Sequence, residues 1–156
     1  MTDISYWLMK SEPAVYGLDK LQEEVTTLWD GIRNYQARNF MRLMEIGDQV
    51  FFYHSNCKPP GIVGLMEVTQ TKLIDPTQFD QNSRYFDPKS SKKNPRWDCV
   101  EVKYLGRFQN QLNLEEIKKS YVNDDLPLVR KGNRLSIMPI SREIAISLIQ
   151  KLGNLD

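Results

Sequence analysis

Residues 28–42, LWDGIRNYQARNFMR, carry the densest group of side chains that could recognise a flat ring. The segment contains an indole, a phenol, two asparagines, a glutamine and three arginines. Such groups stack on planar rings with their faces and hydrogen-bond to ring edges with their amide and guanidinium groups. The segment therefore favours a site for a planar ligand, although an ordinary amphipathic helix with solvated arginines would have the same composition.

Helical spacing indicates which of these side chains would act together. A helix beginning near Ile32 would place Arg38 and Arg42 on one face, with Arg33 partly offset. Asp30 precedes that start and could cap the first turn by accepting a hydrogen bond from a free backbone N–H. Two guanidinium groups would then lie on the same side of the predicted helix.

The elements that must position this segment are mostly short strands, because aromatic and β-branched runs alternate with Gly, Pro, Asn and Asp. The predicted strands cover residues 4–10, 49–54, 62–68, 97–105, 108–112 and 135–140, with a turn at 106–107. Further short helices are predicted near residues 18–25, 114–120 and 142–152. Hairpin-type joins, a bulge at Gly64 and the lack of βαβ alternation predict an α+β chain. Its five to six strands would form a curved β-barrel or sheet with short helices around it.

A long segment, residues 75–96, shows no hydrophobic period and contains three prolines. Loops of this length in compact domains are usually functional or disordered. Tyr85, Phe86 and Trp97 indicate that part of the loop packs, whereas residues 87–93 are basic and rich in small side chains, which suits phosphate contact. A mobile surface tip is the alternative.

Composition narrows the classes of protein to which the chain can belong. It has 156 residues, of which 40% are hydrophobic and 26% charged, as expected for one globular domain covering residues 1–156. The formal net charge is only +1, so binding to nucleic acid would need a local basic patch. No apolar run approaches the ~20 residues that span a bilayer, and no signal peptide is evident. We therefore expect a cytoplasmic protein without a membrane partner.

Enzyme chemistry has little support in the residue pattern. The chain has one histidine, His54, and no GxSxG, HExxH, P-loop or GxGxxG motif. Cys57 and Cys99 lack the spacing of a zinc site. We expect no metal, no cofactor and no catalytic residue, and we interpret His54 as a hydrogen-bonding residue. A hydrolase that uses His54 or Glu12 on a nucleotide-like ligand is the alternative.

Binding of a nucleic-acid base fits the aromatic residues better. Aromatic side chains adjoin polar or basic clusters at Trp29, Tyr53, Tyr85, Phe86 and Trp97. Proteins that hold a flipped or single-stranded base stack it on such rings, read its edge with short polar groups and contact the flanking phosphates with Lys or Arg. Trp7, whose neighbours are apolar, is expected in the core, whereas Trp29 and Trp97 fit either a pocket or the core.

Five motifs in order give the chain a family resemblance: YWLMKSEP, WDGIRNYQARNFM, GDQVFFYHSNCKPPGIVGLMEV, YFDPKSSKKNPRW and LPLVRKGNRLSIMPI. Together they resemble the EVE domain family over nearly the whole chain. The resemblance implies a PUA-like fold and kinship with YTH domains, which hold a methylated adenine in an aromatic cage. It also implies recognition of a modified base in DNA or RNA.

The resemblance further implies a set of site residues. Those implied to bind the ligand are Lys10, Ser11, Glu12, Trp29, Asp30, Arg33, Asn34, Tyr35, Tyr53, His54, Ser55, Trp97 and Leu128. Those expected to contact phosphate are Arg38, Lys89, Ser90, Ser91 and Arg130. Residues 10–12, 29–30 and 33–35 would form the pocket floor and one wall, 53–55 the mouth, 89–91 with Trp97 the opposite side, and 128–130 the rim.

These observations predict a nucleic-acid-binding module that recognises a modified, methylated base in an aromatic pocket. Trp29 would supply one stacking wall, and Ser11, Asn34 and Ser55 would read the edge of the base. The alternatives are the hydrolase named above and a PUA-type RNA-binding module that ignores base modification. DNA and RNA both fit as the partner.

Overall fold

A computed structural model describes residues 3–122 and 124–156. Over those residues the chain forms six strands and five α-helices. The strands are β1 (Tyr6–Ser11), β2 (Thr26–Leu28), β3 (Gln49–His54), β4 (Gly61–Ile74), β5 (Asp98–Asn113) and β6 (Ile137–Ile140). The helices are α1 (Pro13–Tyr16), α2 (Leu18–Glu24), α3 (Tyr35–Leu43), α4 (Leu114–Ser120) and α5 (Arg142–Leu152), and single 3₁₀ turns cover Pro76–Phe79 and Pro127–Val129.

All six strands join in one mixed sheet of order β2-β5-β4-β3-β1-β6. β1 runs parallel to β3, and every other neighbouring pair is antiparallel. This arrangement confirms the α+β class. The number of strands agrees with the expectation, although the predicted strands 97–105 and 108–112 form the single strand β5 and β2 is not among the predicted strands. The sheet is open rather than closed into a barrel, with the short strands β2 and β6 at its edges. Pro139 in β6 has no N–H to offer to a further strand.

Irregular pairing bends the long central strands. The register between β4 and β5 shifts at four places, and one of them lies between Ile62 and Gly64. This shift confirms the bulge predicted at Gly64. Bulges increase the local twist and bending of a sheet, so the open sheet is still curved.

Gly106 has a different role from the one predicted. We expected a turn at residues 106–107, but β5 continues through them. The C-terminal segment passes over the strand here, and a Cβ on Gly106 would lie 2.8 Å from Leu155 Cβ and 2.9 Å from the backbone oxygen of Asp156. Glycine therefore permits the close approach of two chain segments, and the predicted turn is wrong.

Two hydrophobic cores lie on opposite faces of the sheet. Alternate side chains of β3 divide between them, because Val50 and Phe52 point to the first core while Phe51 and Tyr53 point to the second. Residues of α2 and α3 contribute to the first core, and residues of α4 and α5 to the second. Trp29 belongs to the first core, and the candidate site lies beside it.

The helix expected near Ile32 begins three residues later. α3 starts at Tyr35, and the side chain of Asn34 caps it by accepting a hydrogen bond from the Ala37 N–H at 2.9 Å. Asp30 is therefore not the cap. Among the residues that the structure describes, no helix combines the length and apolar character needed to cross a membrane.

Candidate functional site

A cavity of about 710 Å³ opens beside Trp29, at the C-terminal end of β1. Its volume lies within the ~300–1,000 Å³ typical of sites for small ligands. Its lining comes from residues 10–12, 15, 16, 20, 24, 27–32, 55, 84, 85, 134 and 136. The cavity thus collects residues that are far apart in the chain at the rim of the sheet.

Three aromatic rings line this cavity: Tyr16, Trp29 and Tyr85. Trp29 packs edge-on against Phe52 in the core, with ring centroids 5.4 Å apart, and edge-on against Tyr16 at 6.4 Å. Trp29 is only 7% exposed and yet lines the cavity, so a single ring serves both core and pocket. Rings of this kind offer a stacking surface to a planar ligand.

Gly31 allows Tyr85 to approach the cavity. Gly31 has φ +79°, and a Cβ there would lie 2.8 Å from two carbons of the Tyr85 ring. The Gly31 N–H donates to the Asp75 carboxylate at 2.8 Å. A larger residue at this position would therefore strain the backbone and displace the ring.

Arg33 fixes the segment that carries Tyr85. Its Nε and Nη2 donate to the backbone oxygen of Tyr85 at 3.0 and 2.7 Å. Its Nη1 donates to Ile32 O at 2.8 Å and to Asp75 at 3.0 Å, and Nη2 also donates to Thr77 Oγ1 at 3.0 Å. All five N–H donors of the guanidinium are thus used. The expectation that Arg33 binds the ligand is corrected, because no donor remains; Arg33 positions Tyr85 instead.

Gln78 orders the remainder of the loop formed by residues 75–97. Its amide nitrogen donates to the backbone oxygens of Asp75 and Trp97 at 2.6 and 2.8 Å. Its amide oxygen accepts from Ser90 Oγ and from the backbone N–H groups of Arg96 and Trp97. Gln78 is fully buried, and a buried amide with all its partners holds its neighbours in one arrangement. The loop therefore packs on the sheet.

Short polar groups surround the mouth of the cavity. Ser11 Oγ donates to the Tyr16 carbonyl at 2.6 Å, and the Ser55 N–H donates to the Ser11 carbonyl at 3.0 Å. The Lys10 ammonium lies 5.8 Å from the centre of the Tyr53 ring, and burial lowers the pKa of Lys10. The Lys10 ammonium therefore lies on the face of the sheet that carries Tyr53, and the hydroxyl groups of Ser11 and Ser55 are the polar groups at the mouth of the cavity.

Acidic groups add hydrogen-bond acceptors to the same cavity. Burial, together with the nearby negative charge of Asp75, raises the pKa of Asp30, while Arg33 opposes the shift. The Tyr16 hydroxyl donates to Glu24 at 2.6 Å, and burial together with this bond raises the pKa of Tyr16 to about 12. Tyr16 is therefore protonated at neutral pH, and Asp30 is a carboxyl acceptor for an amino group.

Six of the residues expected to bind the ligand lie in this lining: Lys10, Ser11, Glu12, Trp29, Asp30 and Ser55. Their contact with a ligand stays a prediction. Several lining residues are absent from the predicted site, among them Tyr16, Arg84, Arg134 and Ser136, and Tyr85 is predicted only as an aromatic residue beside a polar or basic cluster. The adjacent basic and aromatic residues at 84–85 were the available signal for two of them. Arg134 and Ser136 reach the cavity because β6 pairs with β1, and Ser136 O accepts a hydrogen bond from the Lys10 N–H at 2.8 Å. This pairing of distant strands is not visible in the sequence.

Three expected ligand-binding residues lie elsewhere, which corrects their placement. Tyr53 and Leu128 are buried in the second core, because their side chains point to the opposite face of the sheet. His54 Nε2 accepts a hydrogen bond from the Leu18 N–H at 3.1 Å, at the start of α2. Burial and the charge of Arg107 lower the pKa of His54. His54 therefore holds a helix and does not line the cavity.

Three further expected ligand-binding residues also lie outside the cavity lining. Asn34 is occupied as the cap of α3. Trp97 is 5% exposed, and its indole N–H donates to Asp87 at 2.7 Å. Tyr35 stacks on Trp97 with ring centroids 4.8 Å apart. The placement of these residues in the pocket wall is corrected, since they form a separate cluster on α3 and the loop.

The residues expected to contact phosphate, Arg38, Lys89, Ser90, Ser91 and Arg130, lie outside the cavity lining. Ser90 is bonded to Gln78, inside the hydrogen-bond network of the loop. Lys89 and Arg130 are exposed. Phosphate contact by these side chains stays a prediction for a strand that extends beyond the cavity.

The chemistry of the cavity is that of stacking and hydrogen bonding. In the ranges 3–122 and 124–156, no group of three or more His, Cys, Asp or Glu side chains could hold a metal ion. Aromatic walls with hydroxyl and carboxyl groups at one end can hold a flat polar heterocycle and distinguish its edges.

Comparison with known proteins identifies relatives over most of the chain. The sequence model of the EVE domain matches residues 5–151. Thymocyte nuclear protein 1 of Homo sapiens is 42% identical over 157 residues, which cover 89% of this chain and 70% of that protein. These matches confirm the family resemblance carried by the five motifs.

Solved structures match the fold. A crystal structure of human THYN1 protein in complex with 5-methylcytosine containing DNA is similar with a TM-score of 0.88 and 37% identity, over 97% of this chain and 99% of that one. This likeness confirms the PUA-like α+β fold. The YTH domain of Zygosaccharomyces rouxii MRB1 protein, in complex with N6-methyladenosine RNA, shares the fold alone, with a TM-score of 0.55 and 10% identity over 100% of this chain and 94% of that one.

The names of the relatives correct the expected cytoplasmic localisation. Relatives of Homo sapiens and Rattus norvegicus are both named thymocyte nuclear protein 1, which points to the nucleus rather than the cytoplasm. The expectation relied on the lack of a signal peptide and of an apolar span. Neither feature distinguishes a nuclear protein from a cytoplasmic one.

Proposed function

The chain belongs to the EVE domain family, and from that premise we propose that it binds nucleic acid by holding one modified base in the cavity beside Trp29. The observation that carries the proposal is the set of three aromatic rings, Tyr16, Trp29 and Tyr85, around one cavity of about 710 Å³. Stacking of a base on an aromatic side chain contributes ~1–3 kcal/mol. The cavity therefore offers a base both space and stacking surface.

Polar groups at the cavity would select the base. Ser11, Ser55 and Asp30 lie in the lining and can hydrogen-bond to the edge of a base. A methylated cytosine is the first candidate, because human THYN1 protein forms a complex with 5-methylcytosine containing DNA. The Asp30 carboxyl group could accept a hydrogen bond from the exocyclic amino group of this base.

Binding without catalysis fits this arrangement best. His54 is directed at the start of α2 and lies outside the cavity lining. Glu12 lines the cavity at an exposed position and is a weaker candidate for a general acid or base, because such groups usually act in a site that excludes water. We therefore assign Glu12 to ligand contact.

Replacing Tyr85 tests the proposal with little effect on the fold. Tyr85→Ala removes one wall of the cavity but keeps the backbone oxygen to which Arg33 donates. We expect the affinity for a single-stranded oligonucleotide with one 5-methylcytosine to fall about 5- to 100-fold, which corresponds to one lost stack. Fluorescence anisotropy measures the change.

Phe86→Ala is the matched control, because Phe86 is an aromatic residue of the same loop outside the cavity lining. We expect this variant to bind as the wild type does. Equal loss in both variants, or in neither, would contradict the assignment of the cavity. Equal affinity of the wild type for methylated and unmethylated oligonucleotides would favour a module that ignores modification.

A further inference from the structure

An aromatic stack lies outside the cavity, on the first turn of α3. The ring of Tyr35 lies 4.8 Å from that of Trp97, centroid to centroid, with 20° between their planes. Trp97 is buried and fixed by its hydrogen bond to Asp87, whereas Tyr35 is 50% exposed. A half-exposed ring supported from below by a fixed ring is preorganised to receive another flat group on its free side.

Arg38 lies beside this stack. Its guanidinium carbon is 4.6 Å from the centre of the Tyr35 ring and 5.8 Å from that of Trp97. The outer face of Tyr35 is the one turned away from Trp97. A group over that face would lie much farther from the Trp97 ring than the Arg38 guanidinium does, so Arg38 does not cover it. Its Nε and Nη2 donate to Asn39 and its Nη1 to Arg96 O, which occupies three of five N–H donors and leaves two.

Arg33 connects this stack to the cavity. Its guanidinium carbon lies 5.3 Å from the centre of the Trp97 ring and 5.7 Å from that of Tyr85. Tyr85 lines the cavity, and the guanidinium of Arg84 lies 5.2 Å from its ring. One continuous ridge of alternating rings and guanidinium groups therefore runs from the cavity to Tyr35.

Charge along the ridge suits a polyanion. Arg33 is neutralised by Asp75, but the described residues show no carboxylate within salt-bridge distance of Arg38, Arg84 or Arg96. Lys89, Lys92 and Lys93 are exposed on the loop that carries the ridge. Cations that lack a carboxylate partner next to an exposed aromatic face are the combination by which proteins follow a single strand of nucleic acid.

We propose that the exposed face of Tyr35 is a second stacking site, for a nucleobase that neighbours the base in the cavity, and that Arg38 contacts the phosphate backbone beside it. This inference rests on the proposed function and deepens it. The partner is a single strand, or a strand opened at the modified base, because a neighbouring base must leave its duplex stack to reach Tyr35.

Two probes separate this site from the cavity: the nucleoside 5-methyl-2′-deoxycytidine and a five-nucleotide single strand with 5-methylcytosine at its centre. The nucleoside fits the cavity alone, whereas the oligonucleotide can reach both sites. For Tyr35→Ala we expect unchanged affinity for the nucleoside and about 5- to 100-fold weaker binding of the oligonucleotide. Isothermal titration calorimetry measures both.

Two further variants distinguish two roles of the Tyr35 ring, stacking on a nucleobase and shielding Trp97 from solvent. Tyr35→Phe keeps an aromatic face and should bind the oligonucleotide as the wild type does. Tyr35→Leu keeps apolar cover without an aromatic face and should behave as Tyr35→Ala does. Unchanged oligonucleotide affinity in the Ala and Leu variants would overturn the proposal. Equal loss for nucleoside and oligonucleotide would also overturn it, by placing the effect in the cavity.

The proposed function can fail separately. If the wild type binds the oligonucleotide and Tyr35→Ala weakens it while Tyr85→Ala has no effect, the second site stands and the cavity assignment falls. If the wild type binds neither probe, both proposals fall. Arg38→Gln supplies an independent check, because loss of one phosphate contact should reduce the slope of log K against log salt by ~0.7.

Discussion

Trp29 packs against Phe52 in the first core and lines the cavity, so substitution of this residue changes stability and binding together. Its replacement by alanine would remove packing worth ~3–5 kcal/mol, a large share of the ~5–15 kcal/mol that stabilises a typical domain. Tyr85 carries no comparable core role. A Tyr85 variant therefore reports on the cavity alone.

Asp30 makes the stability of the fold depend on pH. Its pKa is raised by burial and by the charge of Asp75, so the folded state holds the proton more tightly than the unfolded state does. The stabilising contribution is complete below the ordinary Asp pKa and is lost as the pH rises through the raised value. We predict that Asp30→Asn increases the free energy of unfolding at pH 7 but not at pH 3.5.

Urea denaturation of wild type and Asp30→Asn at the two pH values measures this difference. The effect should be small, because Asp30 is accessible to solvent at the cavity. A variant that is less stable than the wild type at pH 7 would show that the carboxylate is favourably placed, against the direction of its pKa shift.

Part of the site could be read from residue types. Trp29, Asp30 and Ser11, which the motifs implied, line the cavity, and their contact with a ligand stays a prediction. Arg33 shows why the rest could not be foreseen, because its five donors are used by partners up to 52 residues away in the chain. A guanidinium that binds phosphate and one that binds a loop look the same in a sequence.

The loop of residues 75–97 is the element on which the cavity depends. Gln78 joins its two ends by bonding to Asp75 and Trp97, and Arg33 holds its middle at Tyr85. These hydrogen bonds join residues that are far apart in the sequence. The composition of the segment therefore suggested a mobile tip as readily as a functional loop.

Gln78→Ala should release this loop while the sheet remains folded. The substitution leaves the buried N–H of Trp97 without its acceptor, the Gln78 amide oxygen, and such a loss costs ~1–3 kcal/mol. The Arg96 N–H loses the same oxygen but keeps Ser90 Oγ, to which it donates at 3.0 Å. We predict faster amide hydrogen exchange over residues 78–97 and an affinity for the methylated oligonucleotide at or below that of Tyr85→Ala. Hydrogen exchange with mass spectrometry measures the first quantity.

Gln81→Ala is the control, because Gln81 is exposed in the same loop. Its exchange and affinity should match those of the wild type. Gln78→Ala with a wild-type exchange rate and affinity would show that the loop is held by its other contacts and that Gln78 is dispensable.

Most regular elements followed from local pattern, as β3 shows. Its residues 49–54 were predicted with the observed bounds, because an aromatic and β-branched run lies between clear turn residues. The bounds of β5 were not predicted, because a glycine within a strand pattern indicates a turn. In the structure, Gly106 is the point at which the C-terminal segment crosses the strand. The open edge of the sheet also depends on strand pairing that no local pattern encodes.

At the scale of the whole molecule, the sheet separates two cores, and only one of them adjoins the candidate site. The second core is closed by α4 and α5, whereas the first core ends at the cavity beside Trp29. With a net charge of +1, long-range attraction to nucleic acid is weak. Binding should therefore depend on the ridge of rings and guanidinium groups rather than on overall charge.

A crystal structure of the protein with a short single-stranded DNA that contains one 5-methylcytosine tests the central claim most directly. We predict that the methylated base lies in the cavity, stacked against Trp29 or Tyr85, with its edge within hydrogen-bond distance of Ser11, Ser55 or Asp30. A complex in which the DNA is bound and the methylated base lies on another surface, with the cavity open to solvent, would contradict it.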